Sequence, residues 1–443
     1  MAAEASRGSA LDRFLRLFAD VRAGEGTRAL LLGLNVFLIL SAYYVMKPVR
    51  EALILAQPGG AEIKSYAMAL QALLLLGVVP LYGALARRMN RRRLINVVTL
   101  FFIACPLAFF AAIGAGMQVG VVFFLWIGIF SLMVIAQFWA FCNDLYTVEA
   151  GKRLFAVIAF GASSGAVCGA FISHALIHVI GVRHLMLVGS AVLALSLVLF
   201  NAIERLARGG APAAAAPAAA TQVIGMRNPF AVVFGNRYLL GIGLLVLMLN
   251  WVNASGEYIL GHVVRAAAQD QVAAGTLDPA RMGEYIGGFY AGYFRVVNLL
   301  GMGLQLFLVS RLIKWLGVPL ALCVLPVIAF GSYAVAALYP VLAALRWVKT
   351  AENSVDYSLM NTVRQMLFLP TPREEKYKAK QVIDTFFVRV GDMLSAATVF
   401  AGATWWALSV SNFALINLGL VAVWLALAVW VGRGFRARTE SPS

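Results

Sequence analysis

Stretches of about 20 apolar residues recur along the whole chain, near 29–46, 65–86, 94–114, 119–143, 154–180 and 184–203, and again near 238–263, 285–312, 316–338, 341–368, 382–406 and 412–432. An α-helix rises about 1.5 Å per residue, so each run is long enough to cross a hydrocarbon core of about 30 Å. No water-soluble domain hides twelve such segments. Charged residues make up only 13% of the 443-residue chain and hydrophobic ones 62%, with a mean hydropathy of +0.84. A soluble domain carries about 25% charged residues. The sequence therefore predicts an all-α membrane protein of twelve transmembrane helices.

The twelve runs are divided by residues 204–236, which contain "ARGGAPAAAAPAAATQ", a Pro/Ala stretch with no core-forming pattern. The expected organisation is an amphipathic N-terminal segment (1–28), a six-helix half (29–203), the linker (204–236), a second six-helix half (237–432) and a short tail (433–443). Leu11, Phe14, Leu15 and Phe18 share one helical face, which suits a helix lying on the membrane surface, and residues 1–28 lack the apolar core of a signal peptide. Six spans, a flexible loop and six more resemble the organisation of major facilitator proteins.

The net charge of +16 admits nucleic acid as a partner. Its distribution favours anionic lipid instead. With the N-terminus inside, the cytoplasmic segments hold about 25 Lys and Arg and the opposite loops about 4, which orients both ends toward the cytoplasm. The inside set includes "RRMNRRR" at 87–93. The cysteines (Cys105, Cys142, Cys168, Cys323) all lie within apolar runs, without metal-ligand spacing. His174 and His178 are four apart but have no third ligand nearby in sequence. No cofactor is expected. "GASSGAVCGA" sets Gly161, Gly165 and Gly169 four apart, a stripe of small residues that reads as close helix packing.

Charges inside the spans carry the functional information, because each costs at least about 2.5–3.5 kcal/mol at the bilayer centre. The tenth span aligns Arg346, Lys349, Asn353, Asp356, Tyr357 and Arg364 within a stripe of roughly 100° at 3.6 residues per turn. Three readings fit: an internal ladder pairing Lys349 with Asp356 or Glu352, a solvated stripe, or a site for an anion. The first span ends "AYYVMKPVREALIL", with Tyr43, Lys47 and Arg50 on neighbouring turns. Pro48 lacks an N–H and is expected to break the helix there, leaving free backbone groups beside two cations. A helix end with Lys and Arg reaching out to water is the alternative. In the seventh span Asn250, Asn253 and Glu257 share a face, and Glu257 suits either a cation partner or a proton carrier. Arg295, with Asn298 and Gln305, marks a polar stripe on the eighth. Asp144, Asp384, Arg389 and Asp392 are the remaining charges assigned to coupling or gating.

Four stretches carry a family resemblance: "KPVREALIL" (47–55), "FWAFCNDLYTVEAGKRLF" (138–155), "SVDYSLMNTVRQMLFLPTPREEKYKAKQVID" (354–384) and "FFVRVGDMLS" (386–395). Across roughly residues 30–405 the chain resembles the ATP:ADP antiporter family, and especially its relatives in free-living bacteria. The resemblance implies a major facilitator fold that moves nucleotides or related phosphorylated solutes across a bacterial inner membrane. It aligns the family's basic positions in the first span with Lys47 and Arg50, and its acid in the seventh with Glu257. Lys380 and Asp384 are retained. The family's lysine after "RxG" in the eleventh span is here Asp392, following Arg389 and Gly391, and Trp126–Phe138 in the fourth span contains no acid.

The leading expectation is an alternating-access secondary transporter of an anionic organic solute, a nucleotide in the first place, acting as a monomer. Tyr43, Lys47, Arg50, Asn253, Glu257, Arg295, Arg346, Lys349 and Asp356 are its substrate-binding candidates. The alternatives are proton-coupled transport of an unrelated small solute, with Glu257 or Asp356 as proton carrier, and a non-transporting membrane sensor. An enzyme is not expected, since the chain contains neither GxxxxGK[ST] nor HExxH.

Overall fold

The computed structural model describes residues 22, 25–209 and 228–440. Helices account for nearly all of them: α1 (Gly26–Leu55), α2 (Gly60–Arg88), α3 (Arg91–Gly114), α4 (Gly120–Leu145), α5 (Val148–Gly209), α6 (Pro229–Gly235), α7 (Arg237–Ala273), α8 (Met282–Phe307), α9 (Val309–Leu338), α10 (Leu342–Val355), α11 (Asn361–Met366), α12 (Arg373–Val382), α13 (Val388–Thr404) and α14 (Val410–Glu440). Wide π turns at Asp356–Met360 and Ile383–Phe387 join α10 to α11 and α12 to α13. Side-chain caps mark several starts. Asn90 Oδ1 accepts from Arg93 N at 2.9 Å to open α3, and Asn236 Oδ1 accepts from Tyr238 N at 3.0 Å to open α7.

Among the described residues nine helices are long and apolar enough to cross a membrane, fewer than the twelve runs read from the sequence. The difference has two physical sources. The 62-residue α5 is far longer than one crossing, and it breaks at Gly181, whose φ of 77° and ψ of 168° lie where a side chain would be strained. The other source is α8 and the α10–α11 run, whose glycines, tyrosines and charges dilute their hydropathy. Large apolar side chains point outward along the spans, as at Leu76 and Leu81 of α2, 70% and 63% exposed. That surface suits lipid.

Several expected boundaries move. The first helix begins at Gly26, α5 runs on to Gly209, and α6 lies within the expected linker. The amphipathic face at Leu11–Phe18 and most of the Pro/Ala stretch lie outside the described residues. The tail is helical as far as Glu440, where Arg436 Nε and Glu440 Oε1 approach to 3.8 Å one turn apart. Helix α1 also continues through Pro48, contrary to the expected break. Proline removes one intrahelical hydrogen bond, and the bonds on either side suffice to carry the helix past it.

The chain divides into two compact units that do not follow the sequence halves. The first comprises Met1–Glu51, Leu75–Gln222 and Tyr290–Arg295; the second comprises Ala52–Leu74, Val223–Phe289 and Val296–Ser443. In the first unit the glycine stripe of α5 lies directly on α1. A Cβ at Gly161, Gly165 or Gly169 would stand 2.2, 2.3 or 2.4 Å from the carbonyl oxygens of Gly33, Phe37 and Ser41. Ser41 Oγ donates to Gly165 O at 3.1 Å across the seam. The stripe is thus a backbone contact surface. Phe102, Phe109, Phe123, Trp126 and Phe130 fill the neighbouring core, with Trp126 and Phe130 stacked at 5.6 Å. Arg91 at the start of α3 reaches Asp144 of α4 and Glu204 of α5, both at 3.2 Å.

In the second unit α7 is central, packed against α10, α13 and α14. Gly391 lets α13 approach α7 closely: a Cβ there would lie 2.7 Å from Leu247 O. Trp251 Nε1 donates to Thr398 Oγ1 at 3.0 Å along the same seam.

Candidate functional site

The second unit buries a chain of polar groups that no lipid-facing helix would need. Its centre is Lys349 on α10, 2% exposed. The ammonium donates to Glu352 Oε1 at 2.7 Å, one turn along the same helix, and to Asn253 Oδ1 of α7 at 3.5 Å. Tyr333 of α9 lies on the other side, its hydroxyl donating to Val252 O at 3.0 Å and standing 3.4 Å from Glu352 Oε1. Lys349 Nζ is 5.9 Å from the Tyr333 ring centroid. Gly256 makes this arrangement possible, since a Cβ at that position would fall 2.1 Å from Tyr333 Oη and 2.8 Å from Lys349 Nζ.

The chain continues through Asn353, whose Nδ2 donates to Glu257 Oε1 at 3.3 Å. The other oxygen of Glu257 accepts from Lys64 Nζ of α2 at 3.3 Å. Beyond it, Tyr258 Oη donates to Glu62 Oε1 at 3.0 Å, and His262 Nδ1 lies 3.6 Å from the same oxygen. Elements α2, α7, α9 and α10 therefore contribute to one polar path within the second unit.

Of the three readings of the tenth span, the internal ladder describes Lys349, with Glu352 rather than Asp356 as its partner. The single continuous stripe does not form. The π turn at Asp356–Met360 changes the helical phase midway, leaving Tyr357 39% exposed. Arg364 instead meets Asp384 of the second π turn at 3.4 Å. Arg346 is half-buried, its guanidinium 5.9 Å from the Phe289 ring and 5.8 Å from Trp347. Asp356 is half-buried, and its carboxylate has no hydrogen bond or ion pair among the described residues. Arg389 Nη1 donates to Asp392 Oδ2 at 3.1 Å, so the acid found where the family has lysine neutralises the cation one turn before it.

The first unit holds a separate group. Lys47 is buried among aromatic rings, its Nζ 4.1 Å from the Phe294 centroid and 5.0 Å from Tyr44. Tyr43 and Tyr44 meet edge to face at 5.1 Å. Arg50 Nε donates to the fully buried Glu51 at 2.9 Å, and its guanidinium lies 4.8 Å from the Phe124 ring. Arg295 lies 5.4 Å from Phe171. Asp144, exposed at the end of α4, is held by Arg91.

The structure places the candidates Asn253, Glu257 and Lys349 along one polar path, and it adds Lys64, Glu62, Tyr333, Gly256 and Phe294, which sequence reasoning missed. Lys64 and Glu62 fall just before the apolar run at 65–86 and read as loop residues. No periodicity marks Gly256, whose role exists only because α9 and α10 approach α7 there. Chemically, the second unit offers buried cations whose present partners are carboxylates of the protein itself. An incoming anion exchanges with such partners without leaving a bare charge in a desolvated site.

Several solved transporter structures match over more than nine tenths of the chain. A bacterial homologue of the human lysosomal transporter Spinster matches with a TM-score of 0.62 at 14% identity, covering 94% of this chain and 98% of that one. The nucleoside transporter NupG matches with a TM-score of 0.58 at 11% identity, covering 94% and 100%. A D-xylose-proton symporter matches with a TM-score of 0.59 at 12% identity, covering 92% and 96%. The chain is a multi-pass helical membrane protein with the fold of the major facilitator transporters. Sequence matches are narrower. The family described as "TLC ATP/ADP transporter" matches residues 5–115. "ADP,ATP carrier protein 2" of Chlamydia pneumoniae is 22% identical over 364 residues, which is 70% of this chain and 64% of that protein. The protein of the same name from Chlamydia trachomatis serovar D is 23% identical over 243 residues, 48% of this chain and 42% of its own length. The matches thus span less than two thirds of either relative. These matches make part of the chain similar to the ATP/ADP transporter family.

Proposed function

We propose that the protein is a secondary transporter of an anionic organic solute, with a nucleotide as the first candidate. The reading is carried by one observation: Lys64 of α2 and Lys349 of α10 are buried and paired with the protein's own carboxylates, and Lys47 of α1 is buried among aromatic rings, in a chain similar to proteins named ADP,ATP carriers. Keeping such charges inside a membrane protein costs free energy that a structural role alone does not offset. Counting α5 as two crossings, with α8 and the α10–α11 run added, supports a reading of twelve spans, and the distribution of basic residues supports both ends in the cytoplasm, in a bacterial inner membrane. Tyr43, Lys47, Arg50 and Arg295 in the first unit, and Asn253, Glu257, Arg346, Lys349 and Asp356 in the second, are the proposed solute contacts. Asp144, Asp384, Arg389 and Asp392, each in an ion pair, are proposed to act in gating or coupling.

The test is uptake of labelled ATP, ADP and AMP into proteoliposomes, with and without nucleotide inside. Transport is expected for at least one of them, and Arg50→Ala and Lys349→Ala should abolish it. If none is moved or bound, and millimolar nucleotide leaves thermal stability unchanged, the nucleotide reading fails.

The second reading is proton-coupled transport of another small solute. It is favoured by Asp356, a half-buried carboxylate in a π turn with no ion pair among the described residues. In that case a collapsed pH gradient stops uptake, and Asp356→Asn uncouples it while binding remains.

A further inference from the structure

The first unit holds a polar cavity lined by none of the proposed solute contacts. It measures about 20 Å³ and lies where α1, α3, α4 and α5 meet, with Asn35, Thr99, Gln137 and Ser196 in its wall. All four are buried, each 4% exposed or less. The rest of the wall is apolar and includes the rings of Phe138 and Phe141. Part of this polarity is satisfied directly. Asn35 Nδ2 donates to Ser196 O at 2.7 Å, and Ser196 Oγ donates to Leu193 O at 2.7 Å. About one turn away along α3 and α5, Asn96 and Asn201 exchange reciprocal hydrogen bonds at 3.2 and 2.7 Å.

Gln137 has no such arrangement. Neither its Oε1 nor its Nε2 has a hydrogen-bond partner among the described residues. The Tyr82 hydroxyl of α2 faces the side chain without closing a hydrogen bond to it. Thr99 Oγ1 and Asn35 Oδ1 also form none among the described residues. Amides buried between membrane helices are costly to leave unmatched, and ordered water bridges such groups where space allows. The space is sufficient, because one water needs about 10–15 Å³. The chemistry narrows the occupant further. Gln137 presents both a spare N–H and a spare carbonyl oxygen, and turning the amide over leaves the same need. An anion would serve only the N–H, and a metal cation only the oxygens. Water accepts from the N–H and has two protons for the oxygens of Gln137, Asn35 and Thr99.

We propose that this cavity is the binding site of a resident water molecule, which bridges Gln137 of α4 to Asn35 of α1 and Thr99 of α3. A bridge of this kind is nearly as favourable as a direct hydrogen bond, so it fastens α4 to its two neighbours. Gln137 is a ligand of the water and not of the transported solute. The site does not depend on which solute moves.

X-ray radiolytic footprinting of the full chain in lipid nanodiscs reads the water directly, because a trapped water is split in place and oxidises the side chains around it. Phe138 and Phe141 should be labelled, while Phe123 and Phe130, equally buried on the same helix but not lining the cavity, should stay unlabelled. Gln137→Leu replaces the amide with an apolar side chain of similar size. Labelling of Phe138 and Phe141 should then fall to the level of Phe123, and the thermal midpoint should fall because Asn35 and Thr99 lose their bridge. Tyr82→Phe should change neither reading. Unlabelled Phe138 and Phe141 in the wild type overturn the site. A Gln137→Leu protein more stable than the wild type also overturns it, since that is the outcome for an amide buried with no partner at all. If Tyr82→Phe loses as much stability as Gln137→Leu, the hydroxyl and not water is the partner, and the proposal falls.

Discussion

Gly256→Ala adds one methyl group at the most crowded point of the second unit. The new carbon would lie 2.1 Å from Tyr333 Oη and 2.8 Å from Lys349 Nζ. Ordinary contact requires more than about 1 Å of additional separation from the hydroxyl. The lysine end is flexible, but the tyrosine is fully buried and held by Val252 O. Overpacking of this kind costs about 1–3 kcal/mol. Moving the hydroxyl sacrifices its hydrogen bond, about 1 kcal/mol. Alanine returns about 1 kcal/mol through its better helix propensity. The net expectation is a loss of about 1–3 kcal/mol, with Lys349 displaced from Asn253. Equilibrium unfolding in mixed micelles of increasing SDS content reads this directly. Gly303→Ala on α8 is the control, because a Cβ there meets nothing within 4 Å. It should be neutral or slightly stabilising. If Gly256→Ala is as stable as Gly303→Ala, the close approach of α7, α9 and α10 described here is wrong.

Two further outcomes follow from ion pairs. Lys349→Met leaves Glu352 buried without its cation and should cost about 3–5 kcal/mol, whereas Lys349→Met combined with Glu352→Leu should recover most of that stability in the same unfolding assay, because a buried pair and a packed apolar pair are often equivalent. At the start of α1, the hydrogen bond from Arg153 holds the Glu25 carboxyl below its usual range. A carboxylate with a depressed folded-state pKa adds stability that is present above its unfolded pKa of about 4.3 and disappears as pH falls through the folded value. Melting curves from pH 6 to pH 3 should therefore show a decline that Arg153→Gln reduces, and equal slopes for the two proteins would refute the pairing.

The membrane character, the helical class and the small-residue stripe of α5 were legible in the sequence because each depends on local pattern. Twenty apolar residues must solve their own hydrogen bonding in lipid, and only a helix does so within one segment. The charges Lys47, Arg50, Glu257 and Lys349 were equally visible, since a charge inside such a segment stands out against its neighbours. Pattern could not assign their partners. Lys349 has Glu352 one turn and Asp356 two turns along the same helix face, and it pairs with the nearer acid. Nor could it find Lys64, which meets Glu257 across 193 residues of sequence, or the need for glycine at 256. Periodicity reports which face a residue occupies on its own helix. Which neighbour that face meets, and at what distance, is a property of packing, and for this protein packing decides which cations are held by the chain's own carboxylates.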